Sequence, residues 1–318
     1  MTETQGAAVR ELLPPWLHPA LQIVEDMAAS SRLPHALLLQ VPLGWCETQL
    51  ASVLACQILD LPPRLDIETL AHPDLQWLVR EDGAQSYKVE QIRDAIGFMQ
   101  RTAQGNGRKV IVVPLAHRMN EASANSLLKT LEEPPPGGHW LLLCNEPGQL
   151  LPTIRSRCQS VVVVPEAGLD TTAYITDLVA ASSPGDVGAI KPAELVMLQF
   201  EFSGAPEQVA ASLLAGEEPI WPLLTGVLSN KDLIPSIAER WNERELPDLV
   251  AAWQRYLHAL AANNSPDYVS VTGTIDSSRL FRFADELAEA QGLVTYHAGI
   301  NRRLLLERLL LRWCSLFG

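Results

Sequence analysis

The segment from Asn120 to Cys158 constrains the fold more than any other part of the chain. Ala124, Leu127, Leu128 and Leu131 recur at helical spacing over Glu121 to Glu132, and Asn120 is placed to cap that helix. The run Pro134-Pro135-Pro136-Gly137-Gly138 then prevents any continuation, because proline has no amide proton and its ring clashes with the preceding turn. Trp140 to Cys144 follows as a short apolar strand, and Ser156-Arg157-Cys158 stands alone after it. A one-sided helix and an apolar strand both need a covering surface. The unit therefore predicts a sheet with helices packed on it.

The same grammar extends from Ala36 to Val164. Strands are expected at Ala36 to Gln40, Leu75 to Val79, Val110 to Val113, Trp140 to Cys144 and Val161 to Val164. A helix is expected over Glu47 to Leu59, closed by Pro62-Pro63. Another is marked by Val89, Ile92, Ala95, Ile96 and Met99 on one face. Alternation of this kind reads as βαβ units around a parallel sheet. After Pro165 strand-like runs almost vanish. Thr171 to Ala181, Pro192 to Phe200 and Pro206 to Ala215 read as short helices, and Pro247 to Ala262, Ser277 to Gln291 and Asn301 to Phe317 as longer ones. The expected division is an α/β domain over 1–165, a small helical domain over 166–212 and a helical domain over 213–318. The last helix carries Leu304, Leu305, Leu306, Leu309, Leu310 and Leu311, so apolar groups cover much of its circumference. Such a helix is packed on more than one side, in a core or at a subunit interface.

The formal charge of -13 argues against a free-standing DNA binder, which needs a surplus of lysine and arginine. The five cysteines, Cys46, Cys56, Cys144, Cys158 and Cys314, form no CxxC pair, so neither a disulfide framework nor a zinc site is suggested and a reducing cytoplasm is the expected location. No secretory signal and no membrane-spanning run is read in the chain.

A phosphate-binding loop of the form GxxxxGK[ST] would lie between the strand at Leu37 to Gln40 and the helix from Glu47. Val41 and Cys46 stand at its glycine positions and Glu47 stands at its lysine, while only Gly44 and Thr48 fit. A carboxylate at the lysine position repels phosphate, so no nucleotide is expected here. Taken alone, the segment reads as an ordinary β–turn–α connection. The strand Val110 to Val113 should end in metal-binding acids in an active ATPase, yet Pro114 and Leu115 follow it.

LLKTLEEPP (Leu127 to Pro135) together with LPTIRSRC (Leu151 to Cys158) resembles the clamp-loader branch of the AAA+ proteins. Leu33-Pro34-His35-Ala36, His72-Pro73-Asp74 and Gly299-Ile300-Asn301-Arg302 support a resemblance over nearly the full length. It implies an AAA+ domain, a lid and a collar that serves in oligomerisation. The losses at Glu47, Pro114 and Leu115 set the chain apart from the catalytic tau and gamma subunits, which share LLKTLEEPP and SRC. Ser203-Gly204-Ala205-Pro206 sits where the family's second sensor begins, but Pro206 and Glu207 follow in place of its arginine. The zinc module that many related subunits carry has no counterpart between Cys56 and His72.

The resemblance makes Arg157 an arginine finger acting in trans on a neighbour's nucleotide, with Ser156 and Cys158 positioning it. It implies a non-hydrolysing component of the DNA polymerase III holoenzyme, without a cofactor or metal of its own. Its partners would be the tau/gamma and delta subunits, with the sliding clamp and primed DNA reached through the complex. Two other readings stay open. One is an active tau/gamma-like clamp-loader ATPase with an unconventional loop. The other is a scaffold in which Arg157 is a structural ion-pair residue.

Overall fold

The computed structural model describes residues 10–81, 84, 86–166, 168–183, 190–244, 246–261, 277–296 and 301–317. Gly299 and Ile300 of the motif ahead of the last helix lie outside the described residues. Contacts divide the chain into one unit of Met1–Asp170 with Ala205–Glu207 and another of Thr171–Gly204 with Gln208–Gly318.

The first unit runs α1 (His18–Ala29), β1 (Ala36–Gln40), α2 (Glu47–Leu59), β2 (Leu75–Trp77), α3 (Val89–Met99), β3 (Lys109–Val113), α4 (Glu121–Glu132), β4 (Gly138–Cys144), α5 (Pro152–Arg155) and β5 (Gln159–Val162). All strand pairs are parallel, in the order β2-β3-β4-β1-β5. Leu38 lies opposite Leu142 on one side and Ser160 on the other, so β1 is interior. β3 is buried at every position, as its unbroken β-branched run requires. Two strands differ at their ends from the sequence pattern. β2 stops at Trp77 because Val79 turns out to solvent, and β5 begins two residues early and leaves Val164 exposed.

One side of the sheet is covered by α3, α4 and α5. Ile92, Ala95, Met99, Ala124, Leu127, Leu131 and Ile154 pack there on Leu38, Ile111, Val113, Trp140 and Leu142. α2 packs on β3 and β4 and is buried around most of its circumference from Leu50 to Leu59. The turn into β4 depends on Gly137, whose φ is +72°. A Cβ there would sit 2.2 Å from the Gly107 carbonyl oxygen, so no other residue allows the two loops to close.

Asp74 explains the His72-Pro73-Asp74 motif. It is fully buried and accepts bonds from the amides of Gln104, at 2.9 Å, and Gly105, at 2.7 Å. Lys109 Nζ stands 3.8 Å away, donates to the Phe98 carbonyl at 3.2 Å and lies over the Phe98 ring. The His72 ring accepts the Asp74 amide and fixes the entry to β2.

The second unit is helical: α6 (Thr172–Ser182), α7 (Pro192–Glu201), α8 (Pro206–Ala215, from Gln208 onward), α9 (Ile220–Ser229), α10 (Ile234–Trp241), α11 (Leu246–Ala261), α12 (Ser277–Tyr296) and α13 (Arg302–Cys314). Among the described residues it holds a smaller and a larger apolar cluster. Ile175, Val179, Leu195, Leu198 and Val209 form the smaller one. The larger gathers the fully buried Trp221, Trp241, Trp253 and Trp313, with edge-to-face contacts from Trp253 to Trp241 at 5.5 Å and to Trp313 at 6.0 Å. Asn301 caps α13 by accepting the Leu304 amide. Leu305, Leu306, Leu309 and Leu310 are buried against α9, α10 and α12, whereas Leu304 and Leu311 face out. Glu201 is buried at the end of α7, where its carboxylate accepts from the Ile220 amide at 2.9 Å and from Arg244 at 3.3 Å. Among the described residues, no helix is long and apolar enough to cross a membrane.

The Asp74 network yields a stability prediction. Asp74→Ala strands the buried Lys109 charge and two amides, so it should lower stability by about 3 kcal/mol or more. Urea titration with a probe in the first unit reads this directly, and a loss within error would show that the network carries no such weight.

Candidate functional site

A parallel sheet delivers the carboxyl ends of its strands to one edge. β1 leads toward β2 at one side of the sheet, whereas β4 leads to β5 beyond β1, so strand order reverses beside β1. Ligands of α/β sheets gather at such a reversal. The loop that occupies it here is Val41 to Cys46, ending on the N-terminus of α2.

Gly44 has a φ of +77° and Cys46 a φ of +66°, so both take up left-handed backbone and turn amides inward. A nest of this kind, backed by a helix N-terminus, attracts an anion. Two carboxylates of the chain itself occupy it. Glu47 folds back so that one oxygen accepts the Gly44 amide at 3.2 Å. Glu207 accepts the Cys46 amide at 3.1 Å and the Gln49 side-chain amide at 3.4 Å, while its own amide donates to the Gly44 carbonyl at 3.1 Å. Trp45 is buried, and Trp16 meets it edge-on at 5.7 Å and donates to its carbonyl at 3.3 Å. Thr48 lies half-buried in the first turn of α2.

Charge reversal at the lysine position therefore does more than repel. Glu47 and Glu207 take the amides that a phosphate would use. The role of Glu207 was not legible in the sequence, where it registered only as a missing arginine. Burial pushes the Glu47 carboxyl up to about 7, repulsion from Glu207 adds to this, and the loop amides pull the other way. Glu207 is also raised by burial, against the pull of the Cys46 amide and Gln49.

The end of β3, separated from β1 by β4, carries Pro114 and Leu115 where an active ATPase would place acids. The Pro114 carbonyl accepts the buried Tyr87 hydroxyl at 2.5 Å, and Leu115 takes a left-handed φ of +48°. No group of three or more His, Cys, Asp or Glu among the described residues is placed to hold a metal ion. Adjacency of β3 and β4 sets the buried His117 Nδ1 4.0 Å from Cys144 Sγ. Burial lowers the His117 pKa and raises that of Cys144, so the pair is neutral and carries no thiolate.

Arg157 lies elsewhere in the same unit. Asn120 caps α4 by accepting the Ser123 amide at 2.8 Å, and Ser123 donates to the Tyr87 carbonyl at 2.8 Å. These contacts fix the register that brings Glu132 to the helix end. Beyond β4, Leu150 and Ile154 are buried and hold α5 down, and Cys158 is half-buried against the same cluster. Arg157 projects between them with about a third of its side chain exposed. Its Nε and Nη2 donate to Glu132 Oε1 at 3.0 and 2.5 Å, and Nη1 donates to the Thr153 carbonyl at 3.0 Å. Ser156 donates its hydroxyl to the Thr153 carbonyl at 3.1 Å and stands 3.4 Å from Arg157 Nη1. Burial pushes the Cys158 thiol up to about 12, so it is a packing group. Ser156, Arg157 and Cys158 thus form one turn, while Gly44 lies in the β1–α2 loop and Glu47 and Thr48 open α2.

A family model described as DNA polymerase III, delta subunit, matches residues 17–167. The DNA polymerase III delta-prime subunit of Pseudomonas aeruginosa is 32% identical, covering 89% of this chain and 93% of the relative. The delta-prime subunit of Escherichia coli is 27% identical over 94% of each chain. A gamma-subunit-related protein of Thermotoga maritima superposes with a TM-score of 0.52 at 20% identity, covering 93% of this chain and 99% of that one, a likeness of fold.

The filled loop predicts a pH dependence. An unfolded Glu47 releases its proton near 4.5 and the folded one near 7, so between these values the folded state holds a proton that the unfolded state lacks. The stability it contributes is full below the lower value and is lost as pH rises through the upper one. Glu47→Gln keeps an acceptor for Gly44 without a charge, and should stabilise the first unit by roughly 2–3 kcal/mol at about pH 8 and flatten the profile from there down to about pH 5. Urea midpoints across that range test it, and an unchanged profile would remove Glu47 as the titrating group.

Proposed function

Because the chain belongs to the DNA polymerase III delta-prime family, we propose that it serves in the clamp loader as a non-hydrolysing stator. In this reading it holds the tau/gamma ATPase subunits and delta together and supplies Arg157 in trans to a nucleotide bound by one of them. The complex so built opens the sliding clamp and loads it on primed DNA. The first unit carries the contacts of an AAA+ domain, residues 166–212 act as a lid and residues 213–318 as a collar for oligomerisation.

The observation that carries this reading is the occupation of the phosphate nest by Glu47 and Glu207. With its own nest filled, the chain has no γ-phosphate of its own on which Arg157 could act. A planar, permanently charged guanidinium suits charge developing on a phosphoryl group. Ser156 and Cys158 serve by holding the turn that presents it.

Two outcomes are expected. The isolated chain shows no saturable ATP binding at millimolar nucleotide by calorimetry, and saturation would instead favour an active ATPase. A loader reconstituted with Arg157→Ala assembles normally, but the ATP site this chain serves slows by roughly 10³-fold or more. DNA-stimulated hydrolysis equal to that of the unmodified complex would leave Arg157 a structural ion-pair residue.

A further inference from the structure

We propose that Glu132 is the positioning residue for Arg157, orienting the guanidinium so that one Nη2 proton is left to donate outward. The inference rests on the reading of Arg157 as a trans-acting finger.

A guanidinium offers two bidentate edges, Nε with Nη2 and Nη1 with Nη2. Glu132 engages the first through a single oxygen, Oε1, at 3.0 Å from Nε and 2.5 Å from Nη2. The Thr153 carbonyl takes a proton of Nη1 at 3.0 Å, and Ser156 Oγ at 3.4 Å is a weaker neighbour. The second Nη2 proton has no acceptor among the described residues, and it lies on the edge that Nη1 shares. Nη1 is committed to Thr153 and Ser156, so the proton offered to a phosphate oxygen is the second one of Nη2. Glu132 is thus bound beside the approach rather than across it.

Both partners stand on fixed supports. Glu132 is the last residue of α4, one position after the buried Leu131, and Arg157 lies between the buried Ile154 and the half-buried Cys158. These supports belong to one apolar cluster. Four bonds to the guanidinium remove the rotamer freedom that a long exposed side chain would otherwise lose when its partner arrives. Glu132 itself is half exposed, so the ion pair adds little to folding. A substitution there tests orientation without dismantling the unit. The acid of LLKTLEEPP then has a purpose that its exposure conceals.

The test uses the complete loader, with ATP and primed DNA, comparing kcat and KM for ATP hydrolysis. Glu132→Ala should lower kcat at the site this chain serves by roughly ten- to a hundredfold with KM for ATP unchanged, because the nucleotide is bound by the neighbour. Glu132→Gln should recover most of the rate, since its amide oxygen still accepts from Nε and Nη2. The urea midpoint of the isolated chain should not move with either variant. A kcat for Glu132→Ala equal to or above that of the unmodified loader, while Arg157→Ala still slows it, overturns the positioning role and leaves the finger intact. Failure of Glu132→Gln to recover the rate also overturns it. An Arg157→Ala loader with unchanged hydrolysis overturns the finger reading and this inference together.

Discussion

The N-terminus of α2 is the constraint on which the first unit turns. Its helix is buried from Leu50 to Leu59 against the sheet, and the loop that leads into it turns the Gly44 and Cys46 amides toward the carboxyl edge. Buried amides without partners cost on the order of 1–3 kcal/mol each. A nucleotide phosphate is one solution to that demand. This chain uses another, in which Glu47 and Glu207 bring the negative charge from within. The arrangement leaves a raised carboxyl in the loop and draws the Ala205–Glu207 segment into the first unit. The emptiness that a sequence motif suggests is therefore physically an occupied site.

Much of the scaffold could be read without coordinates. β3 from Val110 to Val113 and β4 from Trp140 to Cys144 are apolar, and the spacing of Leu127 and Leu131 marks which face of α4 is inside. Helix ends followed the chemistry of Asn120 and Asn301, whose side chains accept amides as N-caps should. Strand ends were less legible, because exposure of Val79 and Val164 is decided by neighbours rather than by local pattern. The helix α1 carries its buried Ala20, Leu21 and Val24 on a short stripe, and its place over the sheet is a tertiary fact.

The site divides in the same way. Glu47 is visible as a charge at the wrong motif position, and Arg157 as part of a specific run. Glu207 is 160 residues from Glu47 in the chain, and no local signal announces that its carboxylate reaches the Cys46 amide. Glu132 enters the sequence reading only as a helix end, since its bond to Arg157 is set by how α5 lies against the cluster. The His117–Cys144 contact likewise arises from strand order. Long-range pairings of this sort depend on topology, and only the assembled sheet supplies it.

The two-carboxylate plug has a consequence for reversion. Glu47→Lys would restore the motif residue by name, yet Glu207 would still hold the Cys46 amide. The new ammonium group would then find a ready counterion and draw the loop shut. Removing Glu207 alone would leave Glu47 folded over Gly44. Even both changes would meet a strand end where the Pro114 carbonyl is bound to Tyr87 and no acid awaits a metal. The filled loop is thus held by packing and charge contributed from several separate places in the chain.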